Sequence, residues 1–295
     1  MSHRSGFVGL LGRPSVGKST LLNRLVGQKV AITSRRAQTT RNVLRGILTR
    51  PEGQVVFVDT PGLHTPHHRL GQLMVEAAEG VAGDADVILL VIDVSKVLGP
   101  GDELAFALAA KAKVPVILAA NKIDLAADRG ETITAEAQKR AEFAAVCRVS
   151  AVTGQGIEDL IEQVFSLLPE GPAYYPPEMV TDQEERFLVA ETVREKALEV
   201  LREEVPHALA VDVELLREEE GKDLIHAAAT LYVEKESQKG IVIGRGGQML
   251  KAIGSAARYD LEGHFGKQVH LELWVKVRED WRKSPRDLRE FGYEE

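Results

Sequence analysis

Gly12, Arg13, Pro14, Ser15, Val16, Gly17, Lys18, Ser19 and Thr20 form a glycine-bracketed run between an apolar stretch at residues 7–11 and a helical one at 21–26. A strand that stops in such a turn and restarts as a helix aims its backbone N–H groups, the positive end of the helix dipole and the Lys18 ammonium at one point. A triphosphate fits there. Ser19 would then hold a magnesium ion. A second run, Asn121-Lys122-Ile123-Asp124, follows the apolar residues 114–120. A carboxylate at the C-terminal end of a parallel strand accepts from the N1–H and 2-amino groups of guanine, a donor pair that adenine lacks. ATP would leave Asp124 unpaired. Sites built on such pairing discriminate by roughly four orders of magnitude.

Between these runs, Asp59-Thr60-Pro61-Gly62 closes the strand-like residues 55–58. Asp59 suits the outer shell of magnesium, and the Gly62 amide can approach a γ-phosphate because glycine has no side chain to obstruct it. Upstream, residues 34–41 (Ser-Arg-Arg-Ala-Gln-Thr-Thr-Arg) read as a switch segment in which Thr40, in preference to Thr39, caps the magnesium. Lys18, Thr40 and Gly62 thus act on the phosphate that leaves, and Ser19, Thr40 and Asp59 serve the metal. Ser150 and Ala151, after the run 145–149, would back the guanine. That pair gains meaning only from its place in the series.

With five signatures in this order, the first half resembles the Ras-like translation-factor class of GTPases. The Ser-Arg-x-Ala-Gln-Thr-Thr-Arg switch, the Asp-Thr-Pro-Gly-Leu-His run and the closing Val-His-Leu-Glu-Leu-Trp-Val-Lys-Val at 269–277 resemble the Era family of bacterial GTPases over essentially the whole chain. The resemblance implies a GTPase domain and a KH domain that binds the 3′ end of small-subunit ribosomal RNA during assembly of the 30S subunit. GTP, GDP and Mg2+ are the implied ligands. The chain is read as a cytoplasmic monomer, with room for peripheral contact with the inner membrane. Two positions depart from related GTPases. Leu63 stands where many place a water-orienting glutamine, which implies slow intrinsic hydrolysis assisted by a partner, a cation or a backbone-held water. Ser15 stands where the family commonly has asparagine, which argues against potassium dependence.

The elements that must position these residues alternate. Strands are expected at 6–11, 42–50, 54–59, 86–92, 114–120 and 145–150, and helices at 18–27, 69–82, 102–112, 134–144 and 156–168, as in an α/β P-loop domain with a doubly wound, mostly parallel sheet. This GTPase domain is expected over residues 1–170. Prolines at 169, 172, 176 and 177 mark 171–182 as a stiff, extended connector. From 183 to 295 the pattern is a long helix at 183–204, strands at 210–216 and 225–235, two helices and a strand at 268–277. That order matches a smaller α+β type II KH domain. Its Gly244-Arg245-Gly246-Gly247 loop would let a nucleic-acid backbone pass over glycine, with Lys239 and Lys251 beside it. Trp274, in an alternating strand, is expected in the core. Trp281, set among basic residues, is open to base stacking or to packing at the domain edge.

The formal net charge of −7 is unusual for an RNA binder. Basic and acidic residues balance before Met179, so the acidic excess lies in the expected RNA domain. Attraction to phosphate must therefore be local, and Lys235, Lys239, Arg245, Lys251 and Arg258 against Glu234 and Glu236 supply it. Cys147, the single cysteine, excludes an intramolecular disulfide and reads as an inert buried thiol. No leader or membrane-spanning run is evident. Two rival functions share these features: a GTPase that regulates a protein or membrane target through a docking module, and an RNA scaffold that holds GTP structurally.

Overall fold

The computed structural model describes residues 3–34, 39–126 and 128–294, so residues 35–38 of the expected switch lie outside it. The chain divides into two compact units. One runs to Asp182 without residues 68–70, and the other starts at Gln183 and includes residues 68–70.

In the first unit, β1 (Arg4–Leu11), β2 (Leu44–Arg50), β3 (Gly53–Asp59), β4 (Val87–Asp93), β5 (Val116–Asn121) and β6 (Ala145–Val149) form one sheet in the order β2-β3-β1-β4-β5-β6. Only β2 is antiparallel to its neighbour. The central strands read as unbroken apolar runs because helices cover both faces; every residue of β3, β4 and β5 is buried. The helices are α1 (Lys18–Val26), α2 (Arg69–Asp84), α3 (Pro100–Ala109), α4 (Ile123–Ala126), α5 (Arg129–Gln138) and α6 (Ile157–Leu167). One expectation shifts: the helix placed at 134–144 lies at Arg129–Gln138, just after the unforeseen α4. Its Ile133 and Ala137 enter the core beside Ala126, while Phe143 packs there from the loop that leads into β6. Cys147 is buried, and burial pushes its thiol above the usual range.

The proline-rich stretch is strapped along the first unit and makes a turn closed by the Met179 N–H to Pro176 carbonyl bond at 3.0 Å, where an extended connector was expected. Buried Gln54 donates to the Tyr175 carbonyl at 2.9 Å and accepts from the Tyr174 and Tyr175 amides at 2.8 and 2.9 Å. Ile47 N–H, on the outer strand β2, reaches the Val180 carbonyl at 2.9 Å, and Arg45 pairs with Asp182 at 2.9 Å. These bonds satisfy part of an edge that would otherwise face solvent.

The second unit is built from α7 (Glu185–Val200), β7 (Ala210–Glu218), β8 (Leu224–Val233), α8 (Glu236–Ile243), α9 (Gln248–Phe265), β9 (Gln268–Val277) and α10 (Pro285–Glu290). β8 is central, antiparallel to β7 and parallel to β9. Helices cover one face, onto which Val269, Leu271, Leu273, Val275 and Val277 point. Alternation then sends Trp274 to the opposite face, where it is 44% exposed rather than in the core. The fully buried tryptophan is Trp281. Its Nε1 donates to the Ala208 carbonyl at 2.9 Å, and its ring meets Phe291 edge-on at 5.4 Å. Burial withdraws it from base stacking. Arg278 bonds Asp287 and Glu290 and so holds α10 over this cluster. Trp281→Ala should therefore destabilise the second unit by about 3–5 kcal/mol, read by urea denaturation of the full chain, whereas a loss below about 1 kcal/mol would place the ring outside the core.

Candidate nucleotide site and nucleic-acid interface

The phosphate loop turns between β1 and α1. Lys18, 6% exposed, donates to the Gly12 and Arg13 carbonyls at 3.0 and 3.3 Å. Burial lowers its ammonium to about 8, against the attraction of Asp59. The Arg13 side chain turns to Asp102 at the start of α3, 2.9 Å away, and its Nη1 donates to the Pro14 carbonyl at 3.5 Å. The Val16 side chain is buried, and Thr20 lines a cavity of about 50 Å³ with Pro14, Gly17, Ser19, Thr40 and Gly62.

Three expected metal-site oxygens meet beside Lys18. Ser19 Oγ donates to Asp59 Oδ2 at 2.6 Å and lies 2.8 Å from Thr40 Oγ1, which stands 3.4 Å from the same carboxylate oxygen. Asp59 is wholly buried, and its Oδ1 has no hydrogen-bond partner among the described residues. Burial raises its carboxyl above the usual range despite Lys18 and the Ser19 and Thr40 hydroxyls. Hard oxygen donors with one buried carboxylate oxygen to spare fit Mg2+. Thr40 is brought here, and Thr39 lines the same cavity.

Gly62 lies against the phosphate loop. A Cβ there would fall 2.6 Å from the Pro14 backbone, so only glycine lets the two segments touch. Thr60 Oγ1 donates to the Leu10 carbonyl at 2.7 Å, and Pro61 is buried, so both serve the packing of this turn. Leu63 is 4% exposed and its N–H donates to the Gly12 carbonyl at 3.1 Å, a core side chain that orients no water. His64 Nδ1 donates to the Gly62 carbonyl at 2.8 Å.

At the ends of β5 and β6 the loops expected to read the base interlock. Asn121 accepts from the Ala151 N–H at 3.1 Å and donates to the Val16 carbonyl at 2.9 Å, which joins base and phosphate loops. Asp124 is exposed, and one carboxylate oxygen takes the Ser150 hydroxyl at 2.6 Å. Sequence reasoning missed two contributors. Arg24 of α1 bonds the Ala151 and Val152 carbonyls at 3.0 and 2.5 Å, and Asp93 at the end of β4 bonds Lys122 at 2.7 Å. Burial opposes ionisation of Asp93, but the Lys122 and Ser95 bonds outweigh it and hold the carboxyl below its usual range. An aspartate closing an apolar strand was the one available hint.

In the second unit, the loop between α8 and α9 has Gly244, Gly246 and Gly247 at φ 73°, 58° and 79°. A Cβ on Gly246 or Gly247 would meet nothing within 4 Å, so the loop is open to a passing backbone. Arg245 and Lys251 are exposed, and Lys239 is half-buried with Glu236 3.9 Å away. Beside the loop, Leu250, Lys251, Gly254, Ser255 and Arg258 of α9 face Leu271 and Leu273 of β9 across a groove of about 340 Å³. Sequence reasoning missed its apolar wall because Leu271 and Leu273 are remote in the chain from the glycine loop.

A buried ammonium in a loop between β1 and α1 and a carboxylate beyond β5 are the arrangement of the P-loop GTPases, and in this member a KH domain follows. The model of a 50S ribosome-binding GTPase matches residues 7–122, and that of a KH domain matches residues 204–282. GTPase Era of Carboxydothermus hydrogenoformans is 46% identical over 100% of this chain and 99% of its own length; that of Caldanaerobacter subterraneus is 49% identical over 99% of each. Two crystal structures superpose with a TM-score of 0.95 at 40% identity, over 99% of this chain and 100% of theirs. One is Aquifex aeolicus Era bound to GDP and AlF4−, the other Era in complex with MgGDPNP and nucleotides 1506–1542 of 16S ribosomal RNA. The chain belongs to the Era family of GTPases.

Proposed function

We propose that this protein is a GTP-driven switch that binds the 3′ region of small-subunit ribosomal RNA through its KH domain and assists assembly of the 30S subunit. The observation that carries it is the bonding of Thr40, within the switch segment, to both Ser19 and the buried Asp59. The placing of Thr40 therefore depends on what the phosphate loop holds. Ser19, Thr40 and Asp59 would hold Mg2+, which when bound neutralises charge developing on the phosphate oxygens. Lys18 and the Gly62 amide bind the terminal phosphates, and Asp124, set by Ser150, reads the base. With Leu63 in the core, turnover by the protein alone is slow and is assisted by a partner, a cation or a backbone-held water.

The RNA half of the reading is supported by the glycine loop, the Arg245 and Lys251 charges and the ribosomal RNA held by a relative of the same fold. Among the described residues no helix is long and apolar enough to cross a membrane. In this reading the protein acts as a cytoplasmic monomer, and any contact with the inner membrane is peripheral. GTP should draw Thr40 and Gly62 inward, and hydrolysis should release them. RNA affinity should then differ between the GDP and GTP states by about 1–3 kcal/mol, with RNA changing GTP affinity by the same factor. Titration of the RNA 3′ segment with GDP and with a non-hydrolysable GTP analogue tests this. Equal affinities would leave two independent modules and end the switch reading.

A further inference from the structure

Asp93 is a wholly buried carboxylate, yet the charge it neutralises belongs to a residue of the guanine signature. Lys122 Nζ lies 2.7 Å from Asp93 Oδ2 and also donates to the Ser15 carbonyl at 2.7 Å. The other oxygen, Asp93 Oδ1, accepts from the Ser95 N–H and hydroxyl at 3.1 and 2.5 Å, and Arg13 Nη2 stands 4.0 Å from Oδ2. Strand register places Asp93 directly beside Asn121. Two of the three ammonium protons of Lys122 are thus directed at protein, so what its side chain has left for a nucleotide is mainly the four-carbon stem. Ser15 and Lys122 are moreover left-handed, at φ 64° and 70°. Non-glycine residues keep that conformation where their surroundings hold them in it. Here the two are tied to each other, and Asp93 anchors the tie.

We propose that Asp93 is a positioning residue that, through Lys122, locks the guanine-reading loop to the phosphate loop and so sets how long GDP stays bound. The proposal rests on the guanine-nucleotide reading above. A nucleotide held at both ends leaves when either loop gives way, and the strut keeps the two in register. Loss of the strut loosens the bound complex without changing the encounter, so its effect falls on the dissociation rate. Asp93→Asn keeps the size of the side chain and the Ser95 contacts but withdraws the charge.

The experiment is stopped-flow release of fluorescent GDP from the full chain. Asp93→Asn and Lys122→Met, which retains most of the stem, should each release GDP about tenfold faster or more. The double variant should be no faster than Lys122→Met alone, because both changes remove one strut. Asp93→Glu, which returns the charge, should recover slow release; a role in packing alone would leave Asn and Glu equally impaired. Release from Asp93→Asn within about twofold of the unmodified protein, or effects that multiply in the double variant, overturns the proposal. If neither replacement at Asp93 folds, Lys122→Met decides, and unchanged release there overturns it. Failure of the unmodified protein to bind fluorescent GDP would instead sink the guanine reading itself, which separates the two.

Discussion

Asp124→Asn is expected to move the preference of this GTPase from guanine to xanthine nucleotides by roughly three to four orders of magnitude. Asp124 opens α4 and is exposed, with one carboxylate oxygen held by the Ser150 hydroxyl at 2.6 Å. The Ser150 bond orients the carboxylate, which in the proposed reading would accept from the guanine N1–H and 2-amino groups. An asparagine so oriented presents a donor in place of one acceptor. The 2-oxo group of xanthine takes that donor, whereas the 2-amino group of guanine meets it donor to donor. The size of the effect follows from the cost of unpaired polar groups at a hydrogen-bonding site. Competition between GDP, XDP and ADP for the unmodified and variant proteins measures it. Comparable ATP and GTP affinities in the unmodified protein would remove Asp124 from base selection.

Replacing Arg245 and Gly246 together by aspartate should weaken RNA binding on the order of a hundredfold at moderate salt. Arg245 is exposed on the glycine loop, and its replacement turns an attraction for phosphate into a repulsion. Gly246 has φ 58°, in the region where aspartate is tolerated better than most residues, and a Cβ there meets nothing within 4 Å. The variant should therefore fold, and GTP hydrolysis without RNA serves as the check. RNA affinity of the unmodified protein should itself fall with rising salt as counterions are released. Unchanged binding in the folded double variant would place the RNA elsewhere on the domain.

Local chemistry determined much of this from the chain alone. Alternation of apolar runs with helical ones defined the first sheet, because parallel strands covered on both faces must be apolar throughout. The phosphate loop, Asp59 and the Asn121 run stood out as candidates because each sits at a strand end, where a short local pattern sets the backbone and the side chain stands next to it in sequence. The glycine loop of the KH domain was readable for the same reason. What escaped depends on which distant segments meet. Asp93 acquires its role only from Lys122, one strand over, and Arg24 only from the Ala151 and Val152 carbonyls. Alternation along β9 told that Trp274 and its odd-numbered neighbours face opposite ways, but not which face the helices cover. That choice is made by packing of α7, α8 and α9, and it exposes Trp274. Trp281 owes its burial to Ala208 and Phe291, on either side of it in the chain. Pattern carries the local backbone, whereas pairing and burial belong to contacts between segments that only the folded chain brings together.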